Sequence, residues 1–343
     1  SRLSQLWDLR RPRSHRHQID ELATIALDAM GGDNAPVETV AGAVDASGLG
    51  VEVVLVGDRS LLAAELEKHG VELQIVDASE TIGMSDDPAK ALREKPEASI
   101  TVAARLVASG DVGGLVSAGS TGAAMAAAAI IIGRVRGVAR PSIASVFPTP
   151  NSPTLLLDSG ANPEVTAAQL YQFAVMGSIA SEALLGAIRP RVGLLSIGEE
   201  RGKGRAVEKA AFELLEASHL NFVGNVEGRD VGTDRVDVIV TDGFTGNVFL
   251  KTTEGTVRLV SAYIAEEMAG LSEAARSEAL PALQRVADRL DYETYGGAHL
   301  LGVEGAVVIS HGSSTRKSIA NALVMARDAV ETDIPSRIRE QLG

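Results

Sequence analysis

The sequence has 343 residues, of which 45% are hydrophobic, enough to bury one large core or two smaller ones. Its formal net charge of −13 has the wrong sign for a general nucleic-acid-binding protein, so no nucleic-acid partner is expected. It contains no cysteine, which excludes disulfides, thiolate nucleophiles and Cys-ligated zinc.

The first 23 residues differ from the rest of the chain. They contain five arginines and two histidines before any clear strand, and they lack the apolar stretch of a signal peptide. We interpret residues 1–23 as a basic leader or tag-like tail with little ordered structure. Residues 24–343 are expected to form a single α/β domain, with a bilobal arrangement as the alternative. No run approaches the roughly 18–20 apolar residues that cross a bilayer, so no transmembrane helix is expected.

From residue 24 onward, apolar runs predict strands that alternate with helices. The predicted strands are 25–27, 51–56, 71–76, 114–116, 143–147, 154–157, 192–196, 222–223, 236–240 and 306–309. The predicted helices are one opening near Pro36, then 60–69, 99–108, 121–132, 164–185, 206–216, about 247–268, about 272–289 and 315–330. Runs 143–147 and 154–157 predict a hairpin. The repeated strand–helix alternation predicts an α/β fold with a mainly parallel sheet flanked by helices.

Five loops between a predicted strand and the next helix are rich in glycine, serine, threonine or asparagine. They cover residues 28–33, 117–122, 198–204, 242–247 and 310–314. Small residues let the backbone approach a ligand, and free N–H groups at a helix start favour an anion. Because open α/β sheets bind ligands outside the carboxyl ends of their strands, the five loops are expected to meet at one sheet edge and hold a phosphate or carboxylate. For any single loop, a tight turn without a ligand is the alternative.

Candidate phosphate- or substrate-binding residues lie in four of these loops. They are Asp28, Gly31, Gly32, Asp33, Ser120, Thr121, Gly122, Asp242, Thr245, Gly246, His311, Ser313 and Ser314. Aspartates at such positions more often cap helices or stabilise turns than bind metal, so no metal is predicted. No cofactor signature is present either, and none is predicted.

The loop at residues 198–204 superficially resembles a nucleotide-binding P-loop. That motif requires four residues between its glycines and Ser or Thr after the lysine, whereas here three intervene and Gly204 follows Lys203. The P-loop interpretation therefore fails. Lys203 is either a point charge directed at phosphate or a solvated surface lysine.

Nine segments carry a recognisable combined pattern, in order along the chain. They are 25–33, 117–122, 157–162, 172–177, 194–200, 224–230, 241–248, 295–298 and 309–314. Together they resemble the PlsX family of acyl-ACP:phosphate acyltransferases, over nearly everything from residue 25 to about 330. The chain departs from the family pattern at Asn34, where the family has His, and at Ser120 and Arg205, where it has Asn. We treat these departures as variation within the family.

The resemblance implies an enzyme that moves an acyl group from acyl carrier protein to inorganic phosphate, feeding phospholipid synthesis. It implies a fold like that of isocitrate and isopropylmalate dehydrogenases and of phosphotransacetylases, and a cytoplasmic homodimer. It also implies peripheral association with the inner membrane face through helices projecting at about 247–290. It suggests Lys203 and Asn247 as the catalytic residues, with Lys203 holding phosphate and oxyanion charge and the Asn247 amide donating to the tetrahedral intermediate.

An acyl carrier protein is acidic, so its docking on this acidic chain requires a local basic patch. Three arginine-containing clusters are candidates: Arg134, Arg136 and Arg140; Arg201, Lys203 and Arg205; and Arg285 with Arg289. Two other functions stay open. One is a short-chain phosphotransacetylase that uses coenzyme A, and the other is a non-enzymatic phosphate-binding module.

Overall fold

The computed structural model describes residues 24–150, 152–290 and 295–343, so the predicted N-terminal tail lies outside the described residues. The strands are β1 (Ile25–Asp28), β2 (Val53–Gly57), β3 (Gln74–Asp77), β4 (Gly114–Ser117), β5 (Ser142–Phe147), β6 (Thr154–Leu157), β7 (Arg191–Leu195), β8 (Asn221–Val226), β9 (Val238–Val240), β10 (Ala298–Leu301) and β11 (Ala306–Ile309). The helices are α1 (Val37–Gly48), α2 (Arg59–His69), α3 (Pro88–Glu94), α4 (Ser99–Ser109), α5 (Thr121–Ala127), α6 (Ala167–Leu185), α7 (Ala206–Glu216), α8 (Gly243–Ala269), α9 (Glu273–Leu290), α10 (Arg316–Glu331) and α11 (Ile334–Leu342).

All these strands join one sheet in the order β3-β2-β1-β4-β11-β10-β5-β6-β9-β7-β8. Strands β3, β2, β1, β4 and β11 are mutually parallel, and so are β6, β9, β7 and β8. Between these halves, the pairs β11–β10, β10–β5 and β5–β6 are antiparallel. Because three antiparallel steps separate the halves, their strands run in opposite directions.

Helices cover both faces of each half of the sheet. In the first half, one buried cluster packs the sheet against α1 and α10, and a second packs it against α4 and α5. In the second half, one cluster includes Phe173 of α6 and Phe212 of α7, and another packs Phe249 of α8 against Phe147 of β5. The predicted α/β class is therefore confirmed, as is the hairpin of β5 and β6.

Several elements differ from the sequence-based expectation. Strand β10 and helices α3 and α11 are additional. Helix α3 begins at Pro88, and the Asp87 carboxylate accepts a hydrogen bond from the Lys90 N–H at 2.8 Å, so a cap and an initial proline both mark its start. The segment predicted as one helix at 121–132 is α-helical only to Ala127 and continues as a π-helical turn over Ala128–Ile132.

Helices α8 and α9 are largely exposed, in contrast to the rest of the fold. Gly243 and Gly246 are the buried positions of α8, and α9 has none. The turn between them is held by Arg276, whose guanidinium donates to the carbonyls of Met268 and Ala269 at 3.1 and 2.9 Å. Among the described helices, none has the length and hydropathy to cross a membrane.

Candidate functional site

The loops after β1, β4 and β11 form a first group of candidate residues. The Asp33 N–H donates to the Gly312 carbonyl at 2.8 Å, which ties the first loop to the last. A Cβ on Gly31 would lie 2.9 Å from the Gly119 nitrogen, so the first loop also packs directly on the second. Three loops that are distant in sequence thus meet where their parallel strands end, as expected for neighbouring strands of one sheet.

Asp28 lies at the base of this first group and is buried. Ser117 Oγ donates to its Oδ2 at 2.7 Å, while Oδ1 has no hydrogen-bond partner among the described residues. Burial raises the pKa of Asp28, against the lowering effect of the nearby Ser99 and Ser117 hydroxyls. The carboxyl lines a small polar cavity with both serines and Ser120. This cavity can accept a polar ligand atom or a water at the unpaired oxygen.

His311 positions the hydroxyl of Ser313 at the rim of the same group. His311 Nδ1 lies 2.8 Å from Ser313 Oγ and accepts the Ser313 N–H at 3.3 Å. Both residues are exposed, whereas Ser314 is buried and accepts from Ser318 Oγ at 3.3 Å. Ser313 is therefore better placed than Ser314 to contact a ligand, because Ser314 is buried and already hydrogen-bonded to Ser318.

The loops after β6, β7 and β9 form a second group, built around the start of α8. Asp242 caps this helix: its Oδ1 accepts the Thr245 N–H at 2.8 Å and its Oδ2 accepts from Thr245 Oγ1 at 2.9 Å. Because α8 begins at Gly243, Asn247 lies inside the helix, in its second turn. Asn247 is exposed and packs beside Gly160, where a Cβ would lie 3.7 Å from the amide oxygen.

The loop after β6 is organised by Asp158, which is buried and was absent from the predicted site. Its Oδ1 accepts the N–H groups of Gly160 and Ala161 at 3.1 and 2.9 Å, and its Oδ2 accepts that of Asn162 at 2.7 Å. Burial raises the pKa of Asp158 despite these hydrogen bonds. The resemblance already included residues 157–162, so the family pattern pointed to this loop, but a buried carboxylate is not distinguishable from a turn residue in sequence.

The loop that carries Lys203 is joined to the start of α8 by Arg205. The Arg205 guanidinium donates to the buried carboxylates of both Glu208 in α7 and Asp242. Burial by itself raises the pKa of Asp242, but hydrogen bonds from Thr245 and Arg205 hold this pKa below its usual range. Lys203 itself is exposed, with its Nζ 4.0 Å from Glu200 Oε2. The amine is therefore available to an anion.

The prediction that all five loops share one sheet edge is wrong. The loops after β1, β4 and β11 leave the sheet in one direction, and those after β7 and β9 leave it in the opposite direction, because of the three antiparallel pairings between the halves. The two groups still adjoin. Leu157 at the end of β6 pairs with Ala144 of β5. The same row continues through His299 of β10 to Val308, one residue before the end of β11, so the two groups start at the same level of the sheet.

Several glycines proposed for ligand approach also have a packing role. A Cβ on Gly246 would lie 1.8 Å from the Asp158 carbonyl oxygen, and one on Gly122 would lie 2.7 Å from Pro88 Cγ. Gly32 has φ +112°, a left-handed conformation that favours glycine. These positions therefore require glycine with or without a bound anion.

The three basic clusters differ in how far their charges are already paired. Arg201 forms ion pairs with Glu213 and Glu216, and Arg205 is paired as described. Arg289 donates to the Pro150 carbonyl at 2.9 Å. Among the described residues, no ion pair involves any of Arg134, Arg136 and Arg140.

Comparison with known proteins assigns the family. A family model described as fatty acid synthesis protein matches residues 23–337. A phosphate acyltransferase from Heliobacterium modesticaldum is 48% identical over 325 residues, which cover 93% of this chain and 97% of the relative. A phosphate acyltransferase from Thermus thermophilus is 48% identical over 323 residues, covering 93% of this chain and 98% of the relative. The chain therefore belongs to this family, and the predicted PlsX resemblance and enzymatic character are confirmed.

Solved structures share the fold at low sequence identity. A phosphotransacetylase from Streptococcus pyogenes aligns with a TM-score of 0.62 and 20% identity, covering 91% of this chain and 95% of that one. A putative 4-hydroxythreonine-4-phosphate dehydrogenase from Salmonella typhimurium aligns with a TM-score of 0.51 and 13% identity, covering 90% and 99%. The predicted relation to phosphotransacetylase and dehydrogenase folds is thus confirmed at the level of architecture.

Proposed function

We propose that this chain, as a phosphate acyltransferase of that family, transfers a fatty acyl group from acyl carrier protein to inorganic phosphate. The observation that carries the proposal is the second group of loops, in which the exposed Lys203 and the exposed Asn247 lie on two segments that contact each other. Arg205, two residues after Lys203, contacts the Asp242 cap of the helix that carries Asn247. Such a pair supplies a positive charge and a neutral hydrogen-bond donor, which suit attack of an anion on a carbonyl.

In the proposed reaction, a phosphate oxygen attacks the thioester carbonyl carbon and a tetrahedral oxyanion forms. Collapse of this intermediate breaks the C–S bond, and the pantetheine sulfur leaves as a thiolate that takes a proton from solvent. Phosphate at neutral pH is already partly dianionic, so orientation matters more than deprotonation. Lys203 offsets the charge of phosphate and oxyanion, and the Asn247 amide donates to the oxyanion.

The first group supplies the remaining phosphate contacts in this proposal. Ser120, Thr121 and Ser313 present hydroxyls near the ends of β4 and β11, and the loop N–H groups add further donors. The ends of β6 and β11 lie at the same level of the sheet, which brings this group next to the second. We therefore place the substrate between the two groups rather than in one loop.

Acyl carrier protein is favoured over coenzyme A as the acyl donor by the sequence relatives. Phosphate acyltransferases match at 45–48% identity over 92–93% of the chain, whereas the phosphotransacetylase of Streptococcus pyogenes is only 20% identical. A short-chain phosphotransacetylase stays the second candidate because it shares the fold and the thioester chemistry.

A homodimer and peripheral membrane contact complete the proposal. Exposed apolar side chains follow one side of α8, including Phe244, Val248, Leu259 and Tyr263, each at least half exposed. Apolar surface of this extent typically marks an interaction site. We propose that a second copy covers this stripe. The turn at residues 268–271, with Leu271 exposed, is proposed to contact the membrane surface.

The test is thiol release from palmitoyl-acyl carrier protein, with and without inorganic phosphate, followed by mass detection of the acyl product. Phosphate-dependent release with palmitoyl phosphate as product is expected. Release without phosphate would indicate a thioesterase. Turnover of acetyl-coenzyme A without turnover of the long-chain carrier substrate would favour the phosphotransacetylase alternative, and binding of phosphate without any release would leave a non-enzymatic module.

A further inference from the structure

A basic loop between the π-helical turn and β5, residues 134–140, displays three arginines on a rigid base. Arg134, Arg136 and Arg140 are all exposed, whereas Val135 and Val138 between them are 1% and 6% exposed and belong to the core. The Val135 N–H donates to the Gly302 carbonyl at 3.0 Å, which fixes the loop to the end of β10. The arginines are therefore held outward by anchored backbone.

These arginines keep their charge available in an otherwise acidic protein. The guanidinium of Arg134 donates to a backbone carbonyl of its own loop, Ala139, which leaves its charge unneutralised. In contrast, Arg201 and Arg205 of the second cluster each contact two carboxylates. A surface with unpaired positive charge on a chain of net charge −13 fits an acidic partner.

The basic loop also adjoins the proposed reaction centre. Pro141 follows Arg140 directly, and its carbonyl accepts a hydrogen bond from Asn162 Nδ2 at 2.8 Å. The Asn162 carbonyl in turn accepts the N–H of Gly243, the first residue of α8, at 2.8 Å. Two hydrogen bonds therefore connect the end of the basic loop to the helix that carries Asn247.

We propose that the loop at 134–140 is the docking surface for the acidic carrier protein that delivers the thioester. The inference rests on the proposed function and adds where the partner binds. A carrier bound at this loop presents its flexible prosthetic arm to the start of α8, so charge at the loop governs capture of the carrier while Lys203 and Asn247 act on the thioester.

The test uses the double charge reversal R136E/R140E, which leaves the Arg134 contact with its own loop intact. We expect the KM for palmitoyl-acyl carrier protein to rise roughly tenfold or more, because like charges then face each other, while the KM for phosphate stays unchanged. Raising the salt concentration is expected to weaken carrier binding to the unaltered protein and to have little effect on the variant. Binding is measured by fluorescence anisotropy of labelled carrier and turnover by thiol release.

The matched control is R285E, which reverses one exposed arginine on α9. Its KM for the carrier is expected to stay within about twofold of that of the unaltered protein, since solvent ions screen a charge outside the docking surface. An unchanged carrier KM in R136E/R140E overturns the proposed docking site. A large rise in carrier KM in R285E alone also overturns it, and places docking on α8 and α9 instead. The proposed function fails separately, by absence of phosphate-dependent release in the unaltered protein.

Discussion

Lys203 is the side chain on which the proposed chemistry depends most directly. Its amine is exposed and has Glu200 Oε2 only at 4.0 Å, so an anion can approach it. We expect Lys203→Ala to raise the phosphate KM or abolish turnover, with a loss of roughly 100-fold or more in kcat/KM if it also offsets the oxyanion charge. Steady-state kinetics with varied phosphate measure this. Lys209→Ala removes an exposed lysine from α7 and is the control; equal kinetics for both variants would refute the role.

Arg205 acts in this account as a positioning residue. It contacts the buried carboxylates of Glu208 and Asp242, and so joins the Lys203 loop to the cap of α8. We expect Arg205→Ala to lower kcat and to destabilise the fold by about 1–3 kcal/mol, because two buried carboxylates lose a partner. Arg201→Ala, on the same loop but paired with exposed Glu213 and Glu216, is expected to leave stability nearly unchanged, because solvent screens exposed ion pairs.

The pH dependence of these variants distinguishes positioning from general stability. The pKa of Asp242 is held low in the folded state, so its contribution to stability is present above the unfolded pKa and is lost as pH falls through the folded pKa. Without Arg205 the folded pKa of Asp242 rises, and we expect that loss to begin at higher pH. Urea unfolding across roughly pH 3–7 measures this shift in the pH at which stability is lost. Rescue of kcat by Arg205→Lys would support positioning, whereas identical pH curves for the unaltered protein and Arg205→Ala would contradict it.

The contribution of Asp28 to stability has the opposite pH dependence. Its pKa is raised by burial, so its contribution to stability is greatest at low pH and is lost as pH rises from the unfolded pKa toward the folded pKa. Asn at this position still accepts the hydrogen bond from Ser117 and carries no charge. We expect Asp28→Asn to be more stable than the unaltered protein at neutral pH, by about 1–2 kcal/mol, with the difference shrinking below about pH 4. A pH-independent difference in unfolding free energy would be inconsistent with the raised pKa.

Packing between α8 and the loop after β6 can be tested at the level of the element. A Cβ on Gly246 would lie 1.8 Å from the Asp158 carbonyl oxygen, so Gly246→Ala must displace the helix or the loop. We expect a loss of about 2–4 kcal/mol of unfolding free energy and a large loss of turnover, since Asn247 moves with the helix. Gly48→Ala, at an exposed helix end with nothing near its Cβ, is the control and is expected to be neutral or stabilising by under about 1 kcal/mol.

Most strands and helices could be predicted from local sequence patterns, and the missed ones show where such patterns fail. The apolar runs of β1, β5 and β11 are short and bounded by turn residues, so strands follow from sequence. Strand β10 has a buried histidine, His299, between Ala298 and Leu300, which breaks the apolar run. The π-helical turn after Ala127 has the same alanine- and isoleucine-rich sequence as an α-helix, and its different hydrogen-bond spacing leaves no trace in composition.

At the scale of the whole molecule, the candidate site was only partly predictable. Each glycine-rich loop could be located because it follows a strand, and the contact between Asp33 and Gly312 agrees with that reasoning. Which loops face one another depends on strand direction, and this is set by three non-local antiparallel pairings. Hydrophobic periodicity contains no information on strand direction, which explains why one shared edge was expected and two were found.

The proposed homodimer makes a prediction for the exposed stripe on α8. Leu259 and Tyr263 are one turn apart and are 53% and 60% exposed. If a second copy covers them, the double variant Leu259→Glu with Tyr263→Glu places like charges in a dry interface. We expect the dissociation constant of the dimer to rise by roughly 100-fold or more. Sedimentation velocity measures the assembly. Ser261→Glu, on the opposite side of the same helix, is expected to leave it intact; a monomeric unaltered protein would exclude the proposal.

The central position of β10 and β11 in the sheet has a consequence for synthesis on the ribosome. Strands β10 and β11 lie in the middle of the sheet, between β4 and β5, yet they are among the last parts of the chain to be made. Helix α10, made later still, packs so closely on α1 that a Cβ on Gly42 would lie 2.6 Å from Ile319 Cβ. Until about residue 309 has emerged, β4 and β5 are unpaired edges of two incomplete sheets, which are prone to join the wrong partner. The nascent chain is therefore most exposed to aggregation just before its central strands arrive.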